Sequence, residues 1–312
     1  MKKIVLIVGP TAVGKTALSI SLAKSLGAEV VSGDSMQVYR KLDIGTAKVT
    51  PAEMDGVPHH LINVANVDQR YTVADFQRQA GQAIDEIVDR GRLPLIVGGT
   101  GFYLLGLVDN LSLGSDNFDQ KSVAIRQRWQ QVAREKGPAY VWHHLNQIDP
   151  LAAAKIPQNN VRRSIRALEV IEKTGKLFSQ QEKPHAVYDY LTIGLTTERE
   201  LLYKRINSRV DLMVKHGLID EARWLYDQGG LSLPAGKGIG YRELAPYFAG
   251  QESLTTCVEK IKQDSRHYAK RQLTWFRHHL NTHWYDLVTK KNSTEEIEEA
   301  IQTWLKKESS TD

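Results

Sequence analysis

Eight residues near the start of the chain constrain its fold more than any others. Gly9-Pro10-Thr11-Ala12-Val13-Gly14-Lys15-Thr16 fits the pattern G-x-x-x-x-G-K-[ST] and directly follows the apolar, β-branched run Ile4 to Val8. Such a run reads as a strand buried on both faces of a parallel sheet, and the motif requires a strand before it and a helix after it. The helix is visible in the pattern: Leu18, Leu22 and Leu26 recur at four-residue steps over 16–26, with Gly27 as the stop. The glycines let the backbone turn tightly and aim several N–H groups at phosphate oxygens, at the positive end of the helix. Lys15 adds a point charge for the terminal phosphate, and the Thr16 hydroxyl a ligand for Mg2+.

The same alternation of strands and helices extends along the chain. A second strand is expected at Ala28–Ser32, running into Gly33-Asp34. Val73, Phe76, Ala80, Ile84 and Ile87 share one face of a helix over 72–90, started by Thr72 and Asp75 at capping-box spacing and ended by Gly91. Leu93–Val97 reads as a third parallel strand, leading into Gly98-Gly99-Thr100-Gly101. From about residue 114 helical patterns follow one another without a strand until Tyr188. Leu191–Leu195 then resumes the sheet, with Thr197 and Glu200 at capping-box spacing. Two helical stretches reach Gly229, a glycine-rich loop spans 236–240, a long helix 253–280, a last strand 283–287 and a final helix 294–307. The fold class expected is α/β, a P-loop NTPase-like core with a parallel sheet flanked by helices, plus an all-helical insertion domain. The divisions are 1–113 and 189–312 for the core and 114–188 for the insertion.

Composition narrows the class without naming a function. With 41% hydrophobic and 25% charged residues the 312-residue chain is ordinary globular protein, which excludes intrinsic disorder. Its one cysteine, Cys257, excludes an internal disulfide and is read as a buried apolar residue. The apolar run after Lys2 and Lys3 stops at Gly9, short of the roughly 7 residues a secretory segment needs, and nothing approaches a membrane span. A cytoplasmic monomer with no membrane partner is expected.

Three polar or glycine-rich segments, 9–16, 32–37 and 98–101, each follow the carboxyl end of an expected strand, where open α/β sheets bind ligands. Convergence puts a carboxylate and several hydroxyls beside a phosphate cradle. The strand at 93–97 ends in Gly-Gly-Thr instead of the acid that a nucleotidase uses for magnesium. Asp34 is therefore open to three readings: magnesium ligand, general base or cap. The net charge of +5 hides two clusters. Lys262, Arg266, Lys270 and Arg277 fall on one face of the long helix, with Tyr268, Trp275 and Phe276 interleaved, and Lys155, Arg162, Arg163, Arg166, Lys173 and Lys176 lie in the helical block. Basic faces with aromatics suit a nucleic-acid backbone. His59 and His60 read as structural, because adjacent histidines diverge and no third ligand is spaced to help. Trp129, Trp142 and Trp224 read as packing residues.

An ordered set of motifs resembles one family, the tRNA dimethylallyltransferases (tRNA isopentenyltransferases) of bacterial type. They are the P-loop at 9–16, Asp34-Ser35-Met36-Gln37-Val38-Tyr39, Ile44-Gly45-Thr46-Ala47-Lys48, Pro58-His59-His60-Leu61, Gly98-Gly99-Thr100-Gly101, Arg166-Ala167-Leu168-Glu169-Val170, Ile239-Gly240-Tyr241-Arg242-Glu243 and the stretch Ala269 to Arg277. The resemblance covers nearly the whole chain. It implies transfer of a dimethylallyl group from dimethylallyl diphosphate to N6 of the adenosine 3′ of the anticodon, with Mg2+ as cofactor and the tRNA anticodon stem-loop as partner. Gly9, Thr11, Ala12, Val13, Gly14, Lys15 and Thr16 then hold the diphosphate of the prenyl donor instead of a nucleotide, helped by Arg209 in preference to Arg205. Asp34 becomes the general base and Thr100 sits at the reaction channel. Ser35, Met36 and Gln37 lie on the tRNA side, Ser35 and Gln37 at the target base, with Arg126 near the channel entrance. Lys237, Gly238, Ile239, Gly240, Tyr241 and Arg242, and Gln158, Asn159, Asn160, Val161 and Arg162, match stretches that touch tRNA, joined by Arg266 and Lys270 of the basic helix. Two positions depart from the family pattern: Phe102 replaces Leu, and Asn160 replaces an Asp whose capping role Asn can still fill. Two other activities remain open at this stage, prenylation of free adenine nucleotides and a P-loop small-molecule kinase.

Overall fold

The computed structural model describes residues 1–111, 119–181 and 185–307. By packing, the chain divides into two compact units, Met1–Asn110 with Ala186–Asp312, and Leu111–His185.

In the larger unit β1 (Lys2–Val8) buries Ile4 to Val8 completely. α1 (Lys15–Leu26) ends on Gly27, whose φ of 63° is the left-handed conformation that favours glycine there. β2 (Ala28–Ser32) is buried along its length. The segment from Gly33 to Thr72 carries only α2 (Pro51–Met54) and the two-residue strand β3 (His59–His60), which the hydrophobic pattern does not announce. α3 (Val73–Asp89) buries the whole expected stripe, and its start is a reciprocal capping box. There the Asp75 N–H donates to Thr72 Oγ1 at 3.2 Å and the Thr72 N–H to Asp75 Oδ2 at 3.0 Å. β4 (Leu93–Val97) and α4 (Gly101–Val108) follow.

The smaller unit contains α5 (Gln120–Lys136), α6 (Pro138–Ile148), α7 (Pro150–Ala153) and α8 (Val161–Thr174) around a core of its own. Trp129 is buried in that core, and the Trp142 indole donates to the Ile156 carbonyl at 2.7 Å, so both tryptophans are packing residues.

Returning to the larger unit, β5 (Tyr188–Leu195) starts three residues before its apolar run. α9 (Arg199–Lys215), α10 (Leu218–Asp227), α11 (Ala245–Phe248) and α12 (Leu254–His279) precede β6 (His283–Tyr285) and α13 (Thr294–Lys306). The capping box expected at Thr197 and Glu200 does not form. The Thr196 N–H is still paired with the Tyr285 carbonyl at 2.9 Å, so the helix begins later, with Glu198 as an N-cap that makes no side-chain bond.

The six strands lie in the order β3-β2-β4-β1-β5-β6, and every pairing is parallel. Val5 and Ile7 of β1 pack in one cluster with α1 and α13, while Ile4, Leu6 and Val8 on the opposite face are equally buried. This is why β1 reads as a continuous apolar run instead of an alternating one. A second cluster, including Val38, Leu42, Val210, Leu218, Tyr241 and Ile261, ties the 33–72 segment to α9, α10 and α12. Cys257 is buried in it and forms no disulfide.

Candidate active site

The loop after β1 is built to receive an anion. Its N-cap residue, Gly14, has a φ of 110°, no side chain caps α1, and no acid occupies the first turn. The first amides of the helix therefore lack the side-chain acceptor that most helices supply. Lys15 Nζ donates to the carbonyls of Gly9 at 2.9 Å and Pro10 at 2.8 Å. Burial lowers the Lys15 ammonium to about 7, with Arg209 pushing the same way and the Asp34 carboxylate opposing. Arg209 Nη1 donates to Thr11 Oγ1 at 3.2 Å, and burial lowers its guanidinium too. Arg205 Nε donates to the Ala12 carbonyl at 2.8 Å. Thr16 is exposed at the start of the helix.

The loops after β2 and β4 are laced to one another. The Gly33 N–H donates to the Val97 carbonyl at 2.8 Å, and the Gly98 N–H reaches the Ile7 carbonyl at 3.2 Å. A Cβ on Gly98 would lie 2.3 Å from the Gly33 oxygen, so only glycine allows this approach. Thr100 Oγ1 accepts from the Ser35 N–H at 3.0 Å and donates to Ser35 Oγ at 3.2 Å. Asp34 Oδ1 accepts from the Met36 N–H at 2.8 Å and the Gln37 N–H at 3.4 Å. Its second oxygen accepts no hydrogen bond among the described residues. The cap and the general-base readings of Asp34 thus fall on different oxygens of one carboxylate.

The loops after β1 and β2 open on a cavity of about 330 Å³, whose lining does not include Lys15, Thr16 or Thr100. Thr11, Ala12, Asp34, Ser35 and Arg209 form its polar end, and Ile206, Val210, Met213 and Ile261 an apolar wall. Lys237, Arg242 and Arg271 supply cations around it, and Met36, Gly238, Ile239 and Gly240 complete the side they share. Tyr268 also lines it, its hydroxyl 3.5 Å from the Gly99 carbonyl, and burial raises the phenol so that it stays protonated. The sequence marked Tyr268 only as an aromatic on the basic face of the long helix, and did not single out the apolar face of α9. Their only signal for the cavity is position: Tyr268 is one residue before the motif Ala269 to Arg277, and the apolar residues alternate around Arg209.

Several of the expected tRNA contacts make internal bonds, among them Arg242, which pairs with Glu243 at 2.6 Å and Asp264 at 3.4 Å. Gln37 Nε2 donates to the carbonyls of Thr46 and Ala47 at 3.3 Å each, and its Oε1 accepts from Ser32 Oγ at 3.1 Å, so this amide folds the 43–48 turn. Tyr241 is 5% exposed and its hydroxyl donates to Glu221 Oε1 at 2.7 Å. The same carboxylate accepts the N–H groups of Asp43, Ile44 and Gly45 at 2.7 to 2.9 Å. With these bonds Gln37 and Tyr241 brace the 43–48 segment, part of which lines the cavity. The basic face of α12 is also partly spent: Lys262 pairs with Asp211 at 2.7 Å and Glu259 at 2.9 Å, and Arg266 Nη1 donates to Asn207 Oδ1 at 2.7 Å. Lys270 is exposed.

In the smaller unit, Arg126 Nε donates to the fully buried Glu169 at 2.5 Å, and Arg166 meets the same carboxylate at 3.0 Å. Asn160 caps α8, its Oδ1 accepting from the Arg163 N–H at 3.2 Å. Gln158 Nε2 lies 3.2 Å from His143 Nε2, Asn159 and Arg162 are exposed, and Val161 is half-buried. Back in the larger unit, His60 Nε2 pairs with the buried Glu29 at 2.7 Å and His59 Nδ1 with the Val57 carbonyl at 2.9 Å, a structural use of both rings. No cluster of three or more His, Cys, Asp or Glu side chains able to hold a metal occurs among the described residues.

A parallel sheet whose first strand runs into a G-x-x-x-x-G-K-T loop, with a mixed cationic and apolar cavity at its carboxyl edge, defines a P-loop protein of the NTPase-like fold class. Comparison with known proteins narrows this. The family model described as IPP transferase matches residues 37–279. A tRNA dimethylallyltransferase of Limosilactobacillus reuteri (strain DSM 20016) is 62% identical over 307 residues, 98% of this chain and 100% of its own. Its counterpart in Limosilactobacillus fermentum is 64% identical over 307 residues. Among solved structures, the tRNA isopentenylpyrophosphate transferase of Bacillus halodurans is 47% identical with a TM-score of 0.74, covering 98% of this chain and 97% of that one. A eukaryotic dimethylallyltransferase described as acting on tRNA is 29% identical with a TM-score of 0.84, over 98% and 80% of the two chains. The chain belongs to the IPP transferase family.

Proposed function

We propose that this protein is a transferase that moves the dimethylallyl group of dimethylallyl diphosphate onto N6 of the adenosine 3′-adjacent to the anticodon in tRNA. One observation carries the reading. A single cavity joins an anion cradle, an apolar wall and a carboxylate with an uncommitted oxygen. A nucleotide kinase has no use for an apolar wall beside its phosphate site, whereas an allylic diphosphate needs both. The activity named for the relatives agrees with it.

In the reaction the C1–O bond of the donor breaks, its electron pair leaves with the diphosphate, and the N6–C1 bond forms. The N6 proton passes to the uncommitted oxygen of Asp34, which localises an amine lone pair otherwise delocalised into the purine. Lys15, Arg209, the Thr11 hydroxyl and the amides of the 9–16 loop receive the negative charge that develops on the leaving group. Thr100 and Ser35 hold the Asp34 loop against the channel. The donor set suits Mg2+: the chain offers the Thr16 hydroxyl and few further oxygens, and Mg2+ characteristically keeps waters and substrate phosphate oxygens as its other ligands. When bound it supplies charge neutralisation at the diphosphate.

In the larger unit Lys237, Lys270 and Arg271 are offered to the anticodon stem-loop of tRNA, with Arg242, which also pairs with Glu243 and Asp264, and Arg266, which also bonds Asn207; in the helical unit, taken by itself, Arg162 and its neighbours are offered. The target base leaves its stack to enter the cavity. A monomer suffices for this arrangement. Labelled dimethylallyl diphosphate offered separately to undermodified tRNA, to AMP and to an ATP-plus-metabolite mixture tests it. Prenylated tRNA alone is expected, and label in AMP with none in tRNA refutes the acceptor.

A further inference from the structure

One side chain on α12 joins the loop after β1, which reaches the cavity at Thr11, to the loop after β4. Gln272 is 5% exposed; its Oε1 accepts from the Thr11 N–H at 2.9 Å and its Nε2 donates to the Gly99 carbonyl at 2.9 Å. The partners settle the orientation of the amide, because an N–H needs the oxygen and a carbonyl needs the nitrogen. The fit is close on both sides. A Cβ on Gly99 would fall 2.1 Å from Gln272 Nε2, and one on Gly101 would fall 2.1 Å from Trp275, the next residue of α12 to face this loop.

Each end of the bridge continues into the site. Thr11 carries on to Arg209 through its hydroxyl, and Thr100, the neighbour of Gly99, carries on to Ser35 and the Asp34 loop. A connected path therefore runs from Arg209 through Thr11, Gln272, Gly99 and Thr100 to Ser35. Within it the Gln272 amide is the link that bridges the loop after β1 and the loop after β4.

We propose that Gln272 is a positioning residue that sets the separation between the diphosphate cradle and the Asp34 carboxylate, and through it the approach of the acceptor nitrogen to the allylic carbon. This rests on the prenyl-transfer reading above. A displacement of about 1 Å in such an approach costs on the order of a hundredfold in rate. A residue that only filled the core would instead lower stability and leave the rate of the folded molecules alone.

The test uses Gln272→Glu and Gln272→Met in the full chain, read as single-turnover rates at saturating donor and tRNA, per folded molecule by circular dichroism. In Gln272→Glu the protonated carboxyl group copies the amide, its hydroxyl donating to Gly99 and its carbonyl accepting from Thr11. The ionised form turns two acceptors on the Gly99 carbonyl and adds negative charge beside the diphosphate. The ratio of the Gln272→Glu rate to the wild-type rate is expected to rise about tenfold or more from pH 8 to pH 5.5, while the Gln272→Met ratio stays about a hundredfold down and flat. The tRNA KM in either variant and the donor KM in Gln272→Met should move less than about threefold, the loss falling on kcat. Wild type that fails to prenylate tRNA overturns the functional reading instead. Active wild type with variants that match it, or a Gln272→Glu ratio that ignores pH, overturns the positioning role, as does failure of both variants to fold at every pH.

Discussion

Binding of a diphosphate should draw a proton onto Lys15, and the amount follows from the geometry. The lysine is tucked against the Gly9 and Pro10 carbonyls, and burial with the nearby Arg209 charge holds it at about 7 against an ordinary value of 10.5. At pH 8 only about a tenth of the molecules carry the charge. A diphosphate beside Nζ favours the charged form and returns the group towards the ordinary range, so binding takes up about 0.9 proton at pH 8, about 0.5 at pH 7 and about 0.1 at pH 6. The sign is that of a base whose pKa is depressed in the free state: affinity is highest below pH 7 and weakens as pH rises. The dissociation constant should climb about tenfold per unit between pH 7.5 and 9.5. Calorimetric titration with Mg-diphosphate at pH 8, in buffers of low and high ionisation enthalpy, reads the uptake directly. Heats that do not depend on the buffer refute the reasoning, and so does uptake that survives in Lys15→Met.

Three further outcomes follow from the same contacts. Asp34→Asn keeps an oxygen for the Met36 and Gln37 N–H groups, so folding and tRNA affinity should hold while the single-turnover rate falls about 10²- to 10⁴-fold; a loss under threefold removes Asp34 as the base. Gly98→Ala forces a methyl to within 2.3 Å of the Gly33 oxygen and should cost about 1–3 kcal/mol in denaturant unfolding together with most of the activity; an unchanged midpoint means the two loops are not held as described. Glu221→Ala strips the acceptor from three backbone N–H groups and the Tyr241 hydroxyl, with an expected loss of about 3 kcal/mol in the same measurement. A loss below about 1 kcal/mol would mean that water takes over those donors.

What could be read from the sequence was whatever short spacing determines. Thr72 and Asp75 announce the start of α3 because a capping box closes within four residues, and β1 announces both its burial and its parallel neighbours because no position along its apolar run faces water. Lys15 was visible because its G-x-x-x-x-G-K-T motif follows a strand that its own composition identifies, whereas the roles of Asp34 and Thr100 came from the resemblance of their motifs to the family. What stayed hidden is the set of residues that hold those groups in register. Gln272 reaches Thr11 across 261 positions of sequence and Gly99 across 173, and Glu221 reaches the 43–45 turn across 176 to 178. Lys262 looked like a free cation because Asp211, which neutralises it, is on another helix. That the Gln37 amide also bonds the Thr46 and Ala47 carbonyls was not legible either, because those partners lie nine and ten positions further on. A local motif can specify which chemical groups a site contains, but the distances between them are set by long-range partners that no local spacing reports. For a reaction that depends on how closely a nitrogen approaches a carbon, those partners belong to the mechanism as much as the groups themselves.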